Sequence, residues 1–187
     1  MKRCFFLLSL SFILMAVSFS QEKGTKIREI GIYTSNLNSF GIRYKTGTPN
    51  GLLRLTAVAL SAGKSTDDFN TSTNSKINAG FGLNVGAEIP VKLSEQFSFN
   101  YGGEFQGLYS YNLSKSTGVP DSKTNYYRVG IGFVAGFSYI LKSNFVISAE
   151  LVPSFVYNYQ KTSTVKNKSF GFSLNNYGAG ISIGYRF

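Results

Sequence analysis

The sequence predicts an all-β fold: an eight-stranded antiparallel up-and-down transmembrane β-barrel. Three observations carry it. Apolar and polar residues alternate with period two over stretches of about 15 residues, well past the length at which globular strands usually stop. Connections between these stretches are alternately short and long. The composition is rich in Phe (17), Tyr (12) and Gly (20), lacks Trp and His, and contains no long apolar run outside the first twenty residues.

Those twenty residues read as a cleaved leader. Met1, Lys2 and Arg3 form a basic start, and Phe5 to Phe19 is apolar apart from serines. Ser18-Phe19-Ser20 offers small residues where a signal peptidase reads them. The expectation is therefore a signal peptide over 1–20 and a mature barrel over 21–187. Cys4 falls inside the leader, which leaves no thiol for disulfide or catalytic chemistry. Without Lys2 and Arg3 the net charge drops from +10 to +8. For an exported chain, a basic balance points to anionic lipid or lipopolysaccharide phosphate, with no role for nucleic acid.

The strands follow in order, expected near 28–35, 39–46, 51–62, 76–91, 96–114, 124–141, 144–161 and 169–187. Between Ile77 and Val91 every odd position is apolar, while the even ones hold Asn78, Asn84, Glu88 and glycines. From Phe97 to Tyr111 the odd face is aromatic or small, and the even face carries Ser98, Asn100, Glu104 and Gln106. From Tyr127 to Leu141 the odd face is Tyr, Val, Ile, Phe, Ala, Phe, Tyr, Leu, against Arg128, three glycines and Ser138. Phe145 to Tyr159 repeats the split, with Ser148, Glu150, Ser154 and Asn158 on the even side. A soluble antiparallel sheet also alternates. Its strands are shorter, though, and it has no reason to begin and end its apolar face in tyrosines, as aromatic girdles do.

The short turns are Thr46 to Asn50, Ser94 to Gln96 and Lys142 to Asn144. The longer polar loops are Gly63 to Lys76, Lys115 to Lys123 and Thr162 to Ser169. Short turns on the periplasmic side and long loops outside give an even strand count, with both termini periplasmic. One alternative stays open: Arg28 to Lys45 as a single bent strand, which would break that parity.

The chain ends Tyr177-Gly-Ala-Gly-Ile-Ser-Ile-Gly-Tyr-Arg-Phe187. This resembles the final strand of bacterial outer-membrane proteins, which closes with alternating hydrophobics and a terminal Phe. The resemblance implies that Tyr185 and Phe187 are read by the barrel assembly machinery. The whole mature chain looks like the small outer-membrane barrel families of the OmpA/OmpX type. The stretch Leu37-Asn-Ser-Phe-Gly-Ile-Arg-Tyr-Lys45 is similar to the opening of Bacteroidetes-type barrels.

Alternation sends Glu29, Arg43, Arg54, Glu88, Glu104, Arg128, Glu150 and Arg186 into the lumen. Eight strands leave an interior only just wide enough for side chains. Unpaired charges there are costly, so these four acids and four arginines are expected to form an ionic network. Such a network is a structural plug, or alternatively a gate in a narrow pore for small polar solutes or ions. A lipid-modifying enzyme is the third reading, weakened because no histidine is present to serve as general base. A Ser-Lys site or a carboxylate pair, for which Glu104 and Glu150 are the candidates, is the route left to such an enzyme. Catalytic, cofactor and metal sites are accordingly expected to be absent, and the protein to be a monomer. Gly130-x-Gly132 and Gly178-x-Gly180 lie mid-strand and so do not open a helix as a nucleotide loop would. Asp67-Asp68 lacks the spaced ligands of a calcium loop. Lys64, Lys76, Lys115, Lys123, Lys161, Lys166 and Lys168 flank the outer loops, where they meet lipid phosphates or simply keep the loops solvated.

Overall fold

The computed structural model describes residues 26–36, 39–69, 72–163, 165–174 and 179–187. The expected leader therefore lies outside the described residues. Ten ladder segments make up the sheet: β1 (Ile27–Asn36), β2 (Ser39–Thr48), β3 (Gly51–Phe69), β4 (Ser72–Lys92), β5 (Phe97–Ser116), β6 (Val119–Ile140), β7 (Phe145–Leu151), β8 (Ser154–Lys161), β9 (Lys166–Ser173) and β10 (Ala179–Arg186). They form eight staves, because β7 with β8 and β9 with β10 each follow one line along their neighbours.

The cause of the first interruption is local. Pro153 has no N–H to give β6, so the ladder lapses at Val152-Pro153. Along β6 the register carries through unbroken, and the Pro153 carbonyl still accepts from Phe133 N at 2.9 Å. The ring closes where β1 pairs antiparallel with β10, from Glu29 opposite Arg186 to Thr34 opposite Ile181. Arg28 and Phe187 exchange two backbone hydrogen bonds, which places the start of β1 and the end of the chain together at the short-turn end.

The question left open over Arg28 to Lys45 resolves into two strands. β1 and β2 form a hairpin paired from Ile27–Gly47 to Asn36–Ser39. Two of the expected loops need correction. Gly63 to Lys76 is mostly ladder, with Gly63 opposite Asn78 and Phe69 opposite Ser72. Lys115 to Lys123 is likewise strand on both sides of a Thr117-Gly118 turn, where Gly118 takes φ 78°. That left-handed conformation is open to glycine without steric penalty. Conversely, the strand expected over 169–187 is broken between Ser173 and Ala179, and its first half begins earlier, at Lys166. The turn at Lys142 to Asn144 is closed by Asn144 at φ 64°, a geometry that Asn tolerates better than most residues.

The wall is uneven in height. β3 and β4 continue past the β1–β2 hairpin, paired with each other out to Phe69 and Ser72. A bulge between Val58 and Ser61 on β3 puts two residues opposite Phe81 alone. It therefore switches which parity faces in: Leu52, Arg54, Thr56 and Val58 point inward below it.

Burial is inverted relative to a soluble protein. Ile32, Val129, Phe133 and Ile183 are each 55–60 % exposed on the outside, whereas Arg54, Lys45, Glu88 and Glu104 are 1–2 % exposed within. The outer apolar surface is a continuous belt around the ring, far larger than the patches soluble monomers leave uncovered. Aromatic contacts edge it. Near the short turns are Phe97 on Phe137 and Phe145 on Tyr185, each pair 5.4 Å apart. Toward the long loops, Tyr109, Tyr127 and Tyr159 stand in line at 5.0 and 6.1 Å. No helix among the described residues is long and apolar enough to cross a membrane; this belt belongs to strands.

Candidate functional site: the charged lumen

Each charge in the lumen is there because its strand's outward partners are apolar and period two leaves it no other face. Arg43 and Lys45 come from β2, Arg54 from β3, Glu88 from β4, Glu104 from β5, Glu150 from β7, and Glu29 and Arg186 from the β1–β10 closure.

Glu150 is the hub. Arg43 donates to it through Nη1 at 2.9 Å and Nη2 at 2.6 Å, a bidentate fork. Arg54 donates to the same carboxylate at 3.1 and 2.9 Å. Arg54 Nη1 also donates to Glu88 at 3.1 Å, and its Nη2 lies 3.2 Å from Glu104 Oε2. That last approach is an ion contact without the alignment of a hydrogen bond, since Glu104 Oε2 and Arg54 Nε have no hydrogen-bond partner. The other Glu104 oxygen accepts from Asn84 at 3.1 Å and Gln106 at 3.0 Å. Lys45 donates to Glu88 at 2.7 Å and stands 3.8 Å from Glu29. Arg186, at the short-turn mouth, donates to Glu29 at 2.9 Å.

The result is one connected chain running Arg186, Glu29, Lys45, Glu88, Arg54, Glu150, Arg43, with Glu104 joined at Arg54. Four carboxylates face four cations. Electrostatically this is a neutral block. Removing one member exposes its neighbours to the full cost of a buried, unpaired charge. Hydrogen-bonded polar groups extend the filling: Arg43 Nε donates to Thr56 at 3.1 Å, Gln106 reaches Ser154 at 3.0 Å, and Asn100 donates to Ser138, which lies 2.9 Å from Ser148.

Of the eight residues singled out from sequence, Glu29, Arg43, Arg54, Glu88, Glu104, Glu150 and Arg186 meet in this chain. Arg128 is the eighth. It sits further toward the long loops, beside a cavity of about 20 Å³ that it lines with Val58, Asn84, Gln106, Gly107 and Leu108. That space suits a single water. Lys45 is a cation of the chain that was not singled out from sequence. The signal for it was present, because Lys45 is two residues from Arg43 and so on the same face of β2.

Tyr33 is the other residue sequence reading missed. Its ring lies under the Arg43 guanidinium, 4.1 Å from centroid to carbon. Gly180 makes that possible, since a β-carbon there would collide with the Tyr33 ring. The carboxylates are each held by cations or amides and none pairs with another as an acid–base couple would. At the short-turn mouth a cavity of about 150 Å³, lined in part by Lys92, Glu95, Asn100, Ser138 and Arg186, reaches inward as far as Glu88.

The fold is that of small outer-membrane β-barrels. A major outer membrane protein from Thermus thermophilus superposes with a TM-score of 0.50 at 12 % identity, over 87 % of this chain and all of that one. Neisserial surface protein A aligns over 86 % of this chain and 92 % of its own at 16 % identity, with a TM-score of 0.40. The attachment invasion locus protein Ail of Yersinia pestis aligns over 88 % and 99 % at 16 % identity, with a TM-score of 0.42. No family model and no curated protein matches the sequence.

Proposed function

We propose that this chain is a non-enzymatic barrel of the outer membrane that works from its surface, its lumen closed by the charge chain, and that its outer rim holds the phosphates of lipopolysaccharide. The apolar belt supports the membrane placement. With the short-turn end periplasmic, both ends of the chain fall on that side, the long hairpins face outward, and the protein acts as a monomer. Tyr185 and Phe187, exposed on the outer face of the closing stave, are then available to the barrel assembly machinery during insertion.

One observation carries the rim reading. On the outer face of the β8–β9 hairpin, Lys161 stands directly opposite Lys166, and Lys168 follows opposite Tyr159. Like charges paired across strands are unfavourable. These three lysines have no acidic partner among the described residues, where the ion pair outside the lumen is Lys115–Asp121 at 3.5 Å. Lys168 stands level with Tyr159 of the Tyr109–Tyr127–Tyr159 band, and Lys161 and Lys166 stand just beyond it, the level at which lipid phosphates lie. An anion between them relieves the repulsion.

The test is thermal unfolding, followed by gel mobility, in nanodiscs of neutral phospholipid with and without lipopolysaccharide. The wild type should gain several degrees with lipopolysaccharide, and the Lys161→Gln/Lys166→Gln/Lys168→Gln variant should lose that gain while folding normally in neutral lipid. An equal gain in both proteins would sink the reading. The enzyme alternative is checked by mass analysis of lipid A after expression, where we expect no change.

A further inference from the structure

The charge chain is neutral, but the short-turn mouth at its end keeps cations in reserve. A cavity of about 150 Å³ lies there, inside the ring. Two cations line it from opposite walls. Lys92 is the last residue of β4 and Arg186 the last of β10, and these strands are four steps apart in either direction around the barrel. Lys92 has the same parity as Glu88 on its strand, so its side chain belongs to the lumen and not to the lipid face.

Neither cation is fully engaged. Lys92 forms no ion pair among the described residues, unlike Lys45 deeper in the same lumen. Arg186 gives Nη2 to Glu29 at 2.9 Å, yet its Nε–H is buried without a hydrogen-bond partner, and its side chain is a quarter exposed. A donor left in that state gains from an acceptor that reaches it. The acids nearby do not fill this role. Both oxygens of Glu88, at the inner end of the cavity, accept from Lys45 and Arg54. Glu95 is exposed in the Ser94 to Gln96 turn and pairs with neither cation.

We propose that this mouth is a binding site for one small oxyanion of the size of phosphate, held between Lys92 and Arg186. The volume corresponds to about five groups the size of a water molecule at roughly 30 Å³ each, which matches the heavy atoms of one phosphate. It falls well short of the ~300 Å³ or more that drug-sized ligands occupy, so a nucleotide does not fit. A tetrahedral anion presents oxygens in several directions and can accept from both walls at once. Bonds from guanidinium to an oxyanion are charge-assisted and stronger than neutral ones. Ile27, Leu52, Pro90 and Ile140 make the rest of the lining apolar, which strengthens the attraction relative to open water. The bound anion ties β4 to β10 across the ring and lengthens the ion chain, from Arg186 through the anion to Lys92. On the orientation proposed above it enters from the periplasm, and the site is independent of the rim lysines.

The experiment is a titration of the isotope-labelled barrel with inorganic phosphate, in detergent micelles at constant ionic strength. It follows the Arg186 Nε–H resonance, which Arg186→Lys identifies by removing it. In the wild type this resonance should shift and saturate with one phosphate per barrel. Lys92→Gln, at an exposed strand end outside the charge chain, should raise the Kd by about fivefold. Lys142→Gln removes the same charge from a turn that does not line the cavity and should leave the Kd unchanged. Glu95→Gln removes the nearest exposed acid and should lower the Kd by about twofold. Phosphocholine, a bulkier ester, should bind about tenfold more weakly than phosphate. Heat-modifiable migration checks that each variant is folded. The proposal is overturned by a resonance that does not move or never saturates, or by a Kd that Lys92→Gln leaves unchanged. Equal losses in Lys92→Gln and Lys142→Gln, weaker binding in Glu95→Gln, or phosphocholine binding as tightly as phosphate would overturn it too. A silent resonance in a protein that still gains stability with lipopolysaccharide would reject the mouth site and leave the rim reading standing.

Discussion

The lumen and the outer rim handle charge in opposite ways. Inside, every carboxylate of the cluster is met by a cation within 3.2 Å, and Arg54 alone touches Glu88, Glu104 and Glu150. At the rim, Lys161 stands opposite Lys166 with Lys168 on the same face, and none of the three has an ion-pair partner among the described residues. The lumen's charge is satisfied internally and is therefore structural. On the proposed reading, charge at the rim is met by lipid phosphate. The same residue type thus has different meanings at two heights: Lys45 stabilises the barrel, while Lys166 costs it a little.

Four substitutions put this contrast to measurement, each by urea unfolding of the folded barrel in lipid. Arg54→Ala should have the largest effect. It removes one cation from Glu88, Glu104 and Glu150 at once, and breaking a buried ion network in this way costs about 3–5 kcal/mol. Loss of the folded gel band in this variant alone would agree; a wild-type midpoint would remove the network from the account. Gly180→Val comes next. Its side chain displaces Tyr33 from beneath Arg43, an overpacking penalty of about 1–3 kcal/mol. Glu29→Gln should cost less, about 1.5 kcal/mol, because Lys45 keeps Glu88 and Arg186 is a quarter exposed at the mouth. The smallest effect belongs to Lys166→Gln, for which no loss and a slight gain in neutral lipid is expected, since a like-charge pair disappears. A clear loss there would mean that the rim lysines, too, are structural.

Much of the architecture was legible in the sequence because lipid enforces alternation. Where a strand has hydrocarbon on one side and a crowded lumen on the other, period two is strict, as along Tyr127 to Leu141. Beyond the belt that constraint ends. The segment from Gly63 to Lys76 is polar on both faces, so its ladder left no trace in the pattern and read as a loop. The interruption at Pro153 was hidden for the opposite reason, since the alternation passes straight through it, whereas the outward parity switches from Phe170 and Phe172 to Ile181 and Ile183. Within the lumen, parity told which way Glu104 or Arg128 points but carried no information on height. Depth is set by the stagger of strands around the barrel, and this is why Arg128 stands further toward the long loops than Lys45.

Single-channel recording across a planar bilayer tests the central claim most directly. A lumen filled by a neutral chain of four carboxylates and four cations predicts a flat trace for the folded wild type at moderate voltage. Steady, reproducible ion current from that same folded protein would contradict the account, because the charge chain would then be the lining of a pore.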